Sequence, residues 1–137
     1  MSSPEPMHSL LTAARAAREL AYAPYSRFRV GAAVLARDGR QFNGCNVENA
    51  AYGLCNCAER TALFSAIAAG CQPGEFAAIA VIGDSPGPIS PCGACRQVMS
   101  ELCPAQMPVL LSNLHGDQQQ TTVSDLLPGA FALPAPA

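Results

Sequence analysis

The sequence has no run of basic residues and little charge of either sign. Charged side chains make up 13% of its 137 residues, against about 25% in an average soluble domain. Eight basic and ten acidic residues leave a formal net charge of −2. A protein that grips nucleic acid needs a basic footprint to neutralise phosphates. Nucleic acid is therefore not the expected partner, and a small uncharged molecule is. No apolar stretch is long and unbroken enough to span a bilayer, so no membrane partner is expected. Met1 to Met7 carries no basic residue ahead of an apolar core, so no signal peptide is read there. Hydrophobic residues make up 50% of the chain. With so little charge to coat the outside, part of the surface is expected to be buried between copies of the chain, as a homo-oligomer.

The length fits one domain over residues 1–137, able to bury roughly two-thirds of its unfolded surface. There are seven cysteines, at positions 45, 55, 57, 71, 92, 95 and 103. An odd number without an export signal points to reduced thiols and a cytoplasmic location. Thiols kept reduced are either small buried residues or metal ligands.

Residues 8–21 carry Leu10, Leu11, Ala14, Ala17, Arg18 and Ala21 at helical spacing. Ser3-Pro4 is a start signal slightly upstream, and Pro24 ends the pattern. Val30 to Ala36 and Gln41 to Val47 flank Asp38-Gly39, a pair that favours a hairpin turn. Cys57 to Ala69 predicts a helix stopped by Gly70. Phe76 to Ile82 is a continuous apolar run, suited to a strand buried on both faces. Cys92 to Leu102 predicts another helix, Val109 to Leu111 a strand, and Gln120 to Val123 a last one, before a turn-rich stretch from Leu126 to Phe131. This order predicts an α/β fold: a three-layer α/β/α sandwich around a mixed sheet of about five strands.

Two segments carry candidate chemistry. Cys57-Ala58-Glu59-Arg60 and Pro91-Cys92-Gly93-Ala94-Cys95 both fall at predicted helix starts. The positive end of a helix favours a thiolate, the form that binds zinc. Cys92 and Cys95 lie one turn apart on one face, and Cys57 would add a third sulfur. Three protein ligands leave a fourth position open, the arrangement of a catalytic zinc. Three thiolates and one zinc sum to −1. Arg60, one turn after Cys57, could donate to the sulfurs and offset that excess, and Gln97 is a second such candidate. Glu59 is the candidate proton carrier. In an ideal helix, however, a residue two places after a ligand points about 200° away from it.

Competing readings stand beside these. Cys55, Cys57, Cys92 and Cys95 could enclose a purely structural zinc. Glu59 could merely stabilise a helix dipole. Cys45, Cys71 and Cys103 read as buried small residues, and His8 and His115 sit in no ligand spacing. Asn46 and Glu48 share one face of an extended strand, where an amide and a carboxylate suit a sugar hydroxyl or simply face solvent. Phe28 and Phe131 are candidates for stacking or for the core.

Cys-Ala-Glu followed by Pro-Cys-Gly-Ala-Cys resembles the signature of the cytidine deaminase superfamily. The chain is most similar to the small homotetrameric cytidine deaminases of pyrimidine salvage, from about Tyr25 to Phe131. The segments that carry the likeness include Pro24-Tyr25-Ser26, Phe28 to Ala33, Asn46 to Tyr52, Cys57 to Ala62, Pro91 to Gln97 and Leu126 to Phe131. The resemblance implies one zinc per subunit on Cys57, Cys92 and Cys95, with Glu59 as proton shuttle. It implies sugar binding by Asn46 and Glu48 and ring packing by Phe28 and Phe131. It further implies base reading by the backbone at Ala58, and a reach into a neighbouring subunit by Tyr52. The nucleic-acid deaminases usually have His where this chain has Cys57, which favours a free nucleoside. The implied reaction is hydrolytic deamination of cytidine and 2′-deoxycytidine. Deamination of a related compound such as blasticidin S and a structural zinc module are the alternatives.

Overall fold

The computed structural model describes residues 4–134, so the expected start signal at Ser3 lies outside the described residues. The elements run α1 (Pro4–Arg18), β1 (Val30–Ala36), β2 (Gln41–Cys45), a 3-10 turn (Tyr52–Leu54), α2 (Ala58–Ala68), β3 (Phe76–Gly83), α3 (Gly93–Leu102), β4 (Pro108–Asn113), β5 (Gln118–Thr122) and α4 (Val123–Leu126). Among the described residues, no helix is long and apolar enough to cross a membrane.

The five strands form one sheet in the order β2-β1-β3-β4-β5. β3 and β4 pair parallel, and the other neighbours pair antiparallel. The central strands are largely apolar because helices cover both faces, with only the buried Ser112 and Asn113 at the end of β4 polar. On one face Ala33, Ala78, Ala80, Ile82 and Leu110 pack against Met7, Leu10 and Ala14 of α1. On the other, Ala32, Val34, Ile79, Val81 and Val109 pack against Ala62, Leu63 and Ala66 of α2 and Cys95 and Met99 of α3. The expected α/β/α sandwich around a mixed five-stranded sheet is the architecture observed.

Element ends differ from the expectation for local reasons. α1 stops at Arg18 and not at Ala21, because Tyr22 is drawn into a bridge with Val47. The Tyr22 N–H donates to the Asn46 carbonyl at 3.0 Å. β2 ends at Cys45, yet Val47 continues extended, bridged to Tyr22 on one side and Asn56 on the other. Val123 leaves the sheet and starts α4, which the sequence reading did not include. There Thr122 Oγ1 accepts the Asp125 N–H at 3.2 Å, an N-cap that begins a helix.

Two glycines let the helices sit directly on the strands. A β-carbon at Gly31 would lie 2.0 Å from the Ala14 carbonyl oxygen of α1. One at Gly44 would lie 2.4 Å from the Ala62 nitrogen and 2.5 Å from the Ala58 carbonyl oxygen of α2. Backbone atoms cannot swing aside as a flexible side chain does, so either addition must shift a whole helix. Gly44→Ala is expected to destabilise the fold by about 1–3 kcal/mol, the usual cost of overpacking. Gly53→Ala, where nothing lies within 4 Å of the added carbon, is expected to stay within about 0.5 kcal/mol. Urea denaturation of the two variants checks this.

Candidate active site

Both helix starts carry cysteine at the capping position. Cys57 caps α2 with an extended backbone (φ −77°, ψ 158°). Cys92 caps α3 in the same way (φ −69°, ψ 166°), and its sulfur accepts the Cys95 N–H at 3.4 Å. The Cys57 and Cys92 sulfurs stand 3.6 Å apart. All three sulfurs, with Cys95, lie within 4.8 Å of one another. With Zn–S bonds of about 2.3 Å, sulfurs at tetrahedral corners stand ~3.8 Å apart, so the set fits zinc.

Arg60 supports this cluster as its spacing suggested: its Nη2 donates to Cys57 Sγ at 3.3 Å. The Cys57 thiol is pulled down to about 5, first by donation from Cys95 and then by Arg60 and Cys92. The Cys95 thiol is pushed up by the same pairing with Cys57. The Cys57 charge thus rests on the Cys95 thiol and the Arg60 guanidinium, and a divalent cation can take over the part the Cys95 proton plays. Cys55 stands apart from the cluster. Its sulfur accepts the Asn49 N–H at 3.3 Å, and the metal-ligating group contains only Cys57, Cys92 and Cys95. A closed four-cysteine site is therefore not formed by these residues.

Glu59 lies in the first turn of α2 and is 4% exposed. A regular helix would turn Glu59 about 200° away from Cys57. Cys57, however, has extended dihedrals and lies outside the helix, so that angle does not apply. Both residues face one cleft of about 270 Å³. Burial pushes the Glu59 carboxyl up to about 7, and the Cys57 charge adds to the shift.

Two further segments of the chain line the cleft. Ser26, Phe28 and Val30 come from one, and Asn46 and Glu48 from the other. The Asn46 amide stitches them together: Oδ1 accepts the Val30 N–H and Nδ2 donates to the Phe28 carbonyl, each at 2.8 Å. Glu48 Oε1 accepts the Tyr25 and Ser26 N–H groups at 2.9 and 3.1 Å, and Oε2 accepts the Ser26 hydroxyl. The Ser26 hydroxyl and backbone hold the Glu48 carboxyl below the usual carboxylate range. Ala58 is fully buried at the first position of α2 and lines the floor.

Phe131 and Gln97 lie outside this cleft, and Tyr52, expected to reach a neighbouring subunit, stands at the surface. Tyr52 is 76% exposed, its ring set edge-on to Tyr25 at 6.4 Å. Phe131 is 68% exposed and does not line the cleft. Gln97 was expected near the sulfurs, but its Nε2 donates to the Phe131 carbonyl at 3.1 Å, so it ties down the tail. The residue-by-residue reading missed Ser26, Val30, Ile89 and Ser90, all of which line the cleft. Ser26 and Val30 sat inside quoted motifs, whereas Ile89 and Ser90 lie in a loop with no spacing signal. Cys103 is buried, which pushes its thiol up to about 12, and His8 and His115 are exposed.

Three sulfurs grouped at two helix starts to suit a zinc ion, with a buried carboxylate sharing their cleft, are the arrangement of a zinc-dependent hydrolytic deaminase. Residues 4–111 match the family described as the cytidine and deoxycytidylate deaminase zinc-binding region. The chain is 56% identical over 126 residues to a cytidine deaminase of Sporosarcina psychrophila, covering 92% of this chain and 91% of that one. It is 61% identical over 122 residues to a cytidine deaminase of Halalkalibacterium halodurans, covering 89% and 91%. The crystal structure of cytidine deaminase from Burkholderia pseudomallei superposes with a TM-score of 0.89 at 67% identity, covering 90% of this chain and 98% of that one. The chain belongs to the cytidine and deoxycytidylate deaminase family, whose zinc the Cys57, Cys92 and Cys95 cluster suits.

The Glu59 carboxyl has a folded value of about 7, above the ordinary 4.5. A raised value contributes stability below pH 4.5 that is lost as pH rises through 7. In chelator-stripped protein, Glu59→Gln should therefore lose less thermal stability than the unaltered chain between pH 5 and 8. Thermal melts at the two pH values test this, and parallel losses would refute it.

Proposed function

We propose that this chain converts cytidine and 2′-deoxycytidine to uridine and 2′-deoxyuridine with release of ammonia, in pyrimidine salvage. The observation that carries the reading is Glu59, buried on the floor of a cleft whose wall includes Cys57 and Cys92. Zinc held by Cys57, Cys92 and Cys95 supplies, when bound, Lewis acidity and an acidified water. Glu59 accepts a proton on its carboxylate and delivers it to the ring nitrogen beside the amino-bearing carbon. The same carboxyl carries a second proton to the departing amine. One water is consumed for each ammonia released, and Glu59 returns to its starting state. A carboxyl that gives and takes protons in one cycle works best with a value near the working pH, and burial holds Glu59 there.

The remaining roles follow from placement. Phe28 packs on the pyrimidine ring. Asn46 and Glu48 face the sugar, with the lone pair and N–H that the Asn46 amide has left after its two backbone bonds. The Ala58 N–H is one of the unpaired donors of a helix start and reads the base. Arg60 offsets the negative charge of the sulfurs. Tyr52 and Phe131, exposed here with Tyr22, Tyr25 and Leu54, suit the cleft of a neighbouring copy, and the assembly is a homotetramer. Residues 1–137 act as one domain. The substrate is a free nucleoside and not nucleic acid, in keeping with the net charge of −2. Three thiols committed to a metal suit a reducing cytoplasm.

Ultraviolet-monitored loss of cytidine by the purified protein, with and without a zinc chelator, tests the reading. Chelator-sensitive turnover with ammonia release is expected, and a zinc-loaded protein inert toward cytidine and deoxycytidine would overturn it. Glu59→Gln should retain zinc and lose roughly 10²-fold or more in turnover. Arg60→Ala should lower turnover while most zinc stays bound, measured by metal analysis beside the assay.

A further inference from the structure

Arg96 follows Cys95 on α3 and takes no part in the cluster of sulfurs. Its side chain turns back along the helix and makes three hydrogen bonds to three separate chain points. Nε donates to the Pro91 carbonyl at 2.8 Å, Nη2 to the Ser90 hydroxyl at 2.6 Å, and Nη1 to the Leu126 carbonyl at 2.8 Å. All three acceptors are neutral, and among the described residues Arg96 forms no ion pair. A cation this close to a helix start opposes the helix dipole. The charge is therefore not there to steady the helix, and the fork of donors is what the position uses.

The Pro91 carbonyl is half of the planar peptide unit whose other half is the Cys92 nitrogen. Holding that oxygen fixes the plane from which the Cys92 side chain departs. Proline has no N–H, so the Pro91 carbonyl is its only backbone handle. Cys92 is exposed, whereas Cys95 is buried, so packing does little to hold the Cys92 sulfur. The loop ahead of it is tied by the Ile89 N–H to the Ser112 carbonyl at 3.1 Å. Arg96 ties the last two residues before the sulfur and joins them to the end of α4 at Leu126.

We propose that Arg96 is a positioning residue of the metal loop, gripping Ser90, Pro91 and Leu126 at once to aim the Cys92 sulfur. The inference rests on reading Cys92 as a zinc ligand. The test is the rate of zinc transfer from loaded protein to a chromophoric chelator, measured beside the thermal midpoint of the loaded protein. Arg96→Met keeps the aliphatic stem and removes the fork. It should release zinc about 10-fold faster or more, the scale set by loss of an outer partner of a metal ligand, with little change in midpoint. Arg96→Lys, with one ammonium, should not restore the slow rate. A lowered midpoint with zinc release at the unaltered rate would make Arg96 a clamp on the fold alone and overturn the proposal. Should Arg96→Met fail to fold, Ser90→Ala decides: it removes one of the three grips and should give a smaller acceleration, and an unchanged rate overturns the proposal. An unaltered protein that holds no zinc refutes the reading of the three sulfurs itself, before any variant is compared, and this inference falls with it.

Discussion

Helix α2 rests on the backbone of β2 at Gly44, where its Ala58 carbonyl and Ala62 nitrogen come closer than any side chain would allow. That contact sets where the helix begins. Cys57 and Glu59 flank Ala58, so a sulfur and the buried carboxylate take their places from it. The chain that leaves Gly44 runs directly into Asn46 and Glu48, which line the same cleft. Both sets of lining residues are thus measured from one point of the sheet. The opening between them can hold its width because no flexible side chain stands in the reference contact.

Polar side chains around the cleft are spent mainly on backbone groups. Asn46 joins the Phe28 carbonyl to the Val30 N–H, and Glu48 gathers two N–H groups and a hydroxyl from Tyr25 and Ser26. Tyr25, Ser26 and Phe28 come before β1, where no regular strand or helix holds the chain. Arg27 in the same stretch has φ 59°, an uncommon conformation for a residue with a side chain. Hydrogen bonds to Glu48 and Asn46 supply the order there that secondary structure supplies elsewhere.

Much of this was legible in the sequence. The continuous apolar run of β3 and the Asp38-Gly39 turn located the sheet, and the alternation of helices with strands gave its covering on both faces. The sulfurs were legible because helix starts and a one-turn spacing leave a strong mark. Three things were not. Gly44 reads as any glycine in a strand, since the helix that crosses it lies more than a dozen residues further on. The place of Glu59 depended on Cys57 being extended, which periodicity cannot report. Gln97 was a candidate for the sulfurs by proximity in sequence, while its amide meets Phe131, 34 residues away. Pairings between distant chain segments leave no local trace.

The extended backbone at Cys57 has a further consequence. One sulfur and the carboxylate stem from residues separated by a single position, so their backbone origins stay close together. The other two sulfurs arrive from a later part of the chain, Cys92 35 residues downstream at the cap of α3 and Cys95 inside that helix. One half of the cleft is thus set by near neighbours in the chain, and the other is brought up by a separate loop and helix. Changes that retune such a site without destroying it would therefore collect ahead of Cys92, at Ile89 and Ser90, and spare the sulfurs and the residues around Ala58.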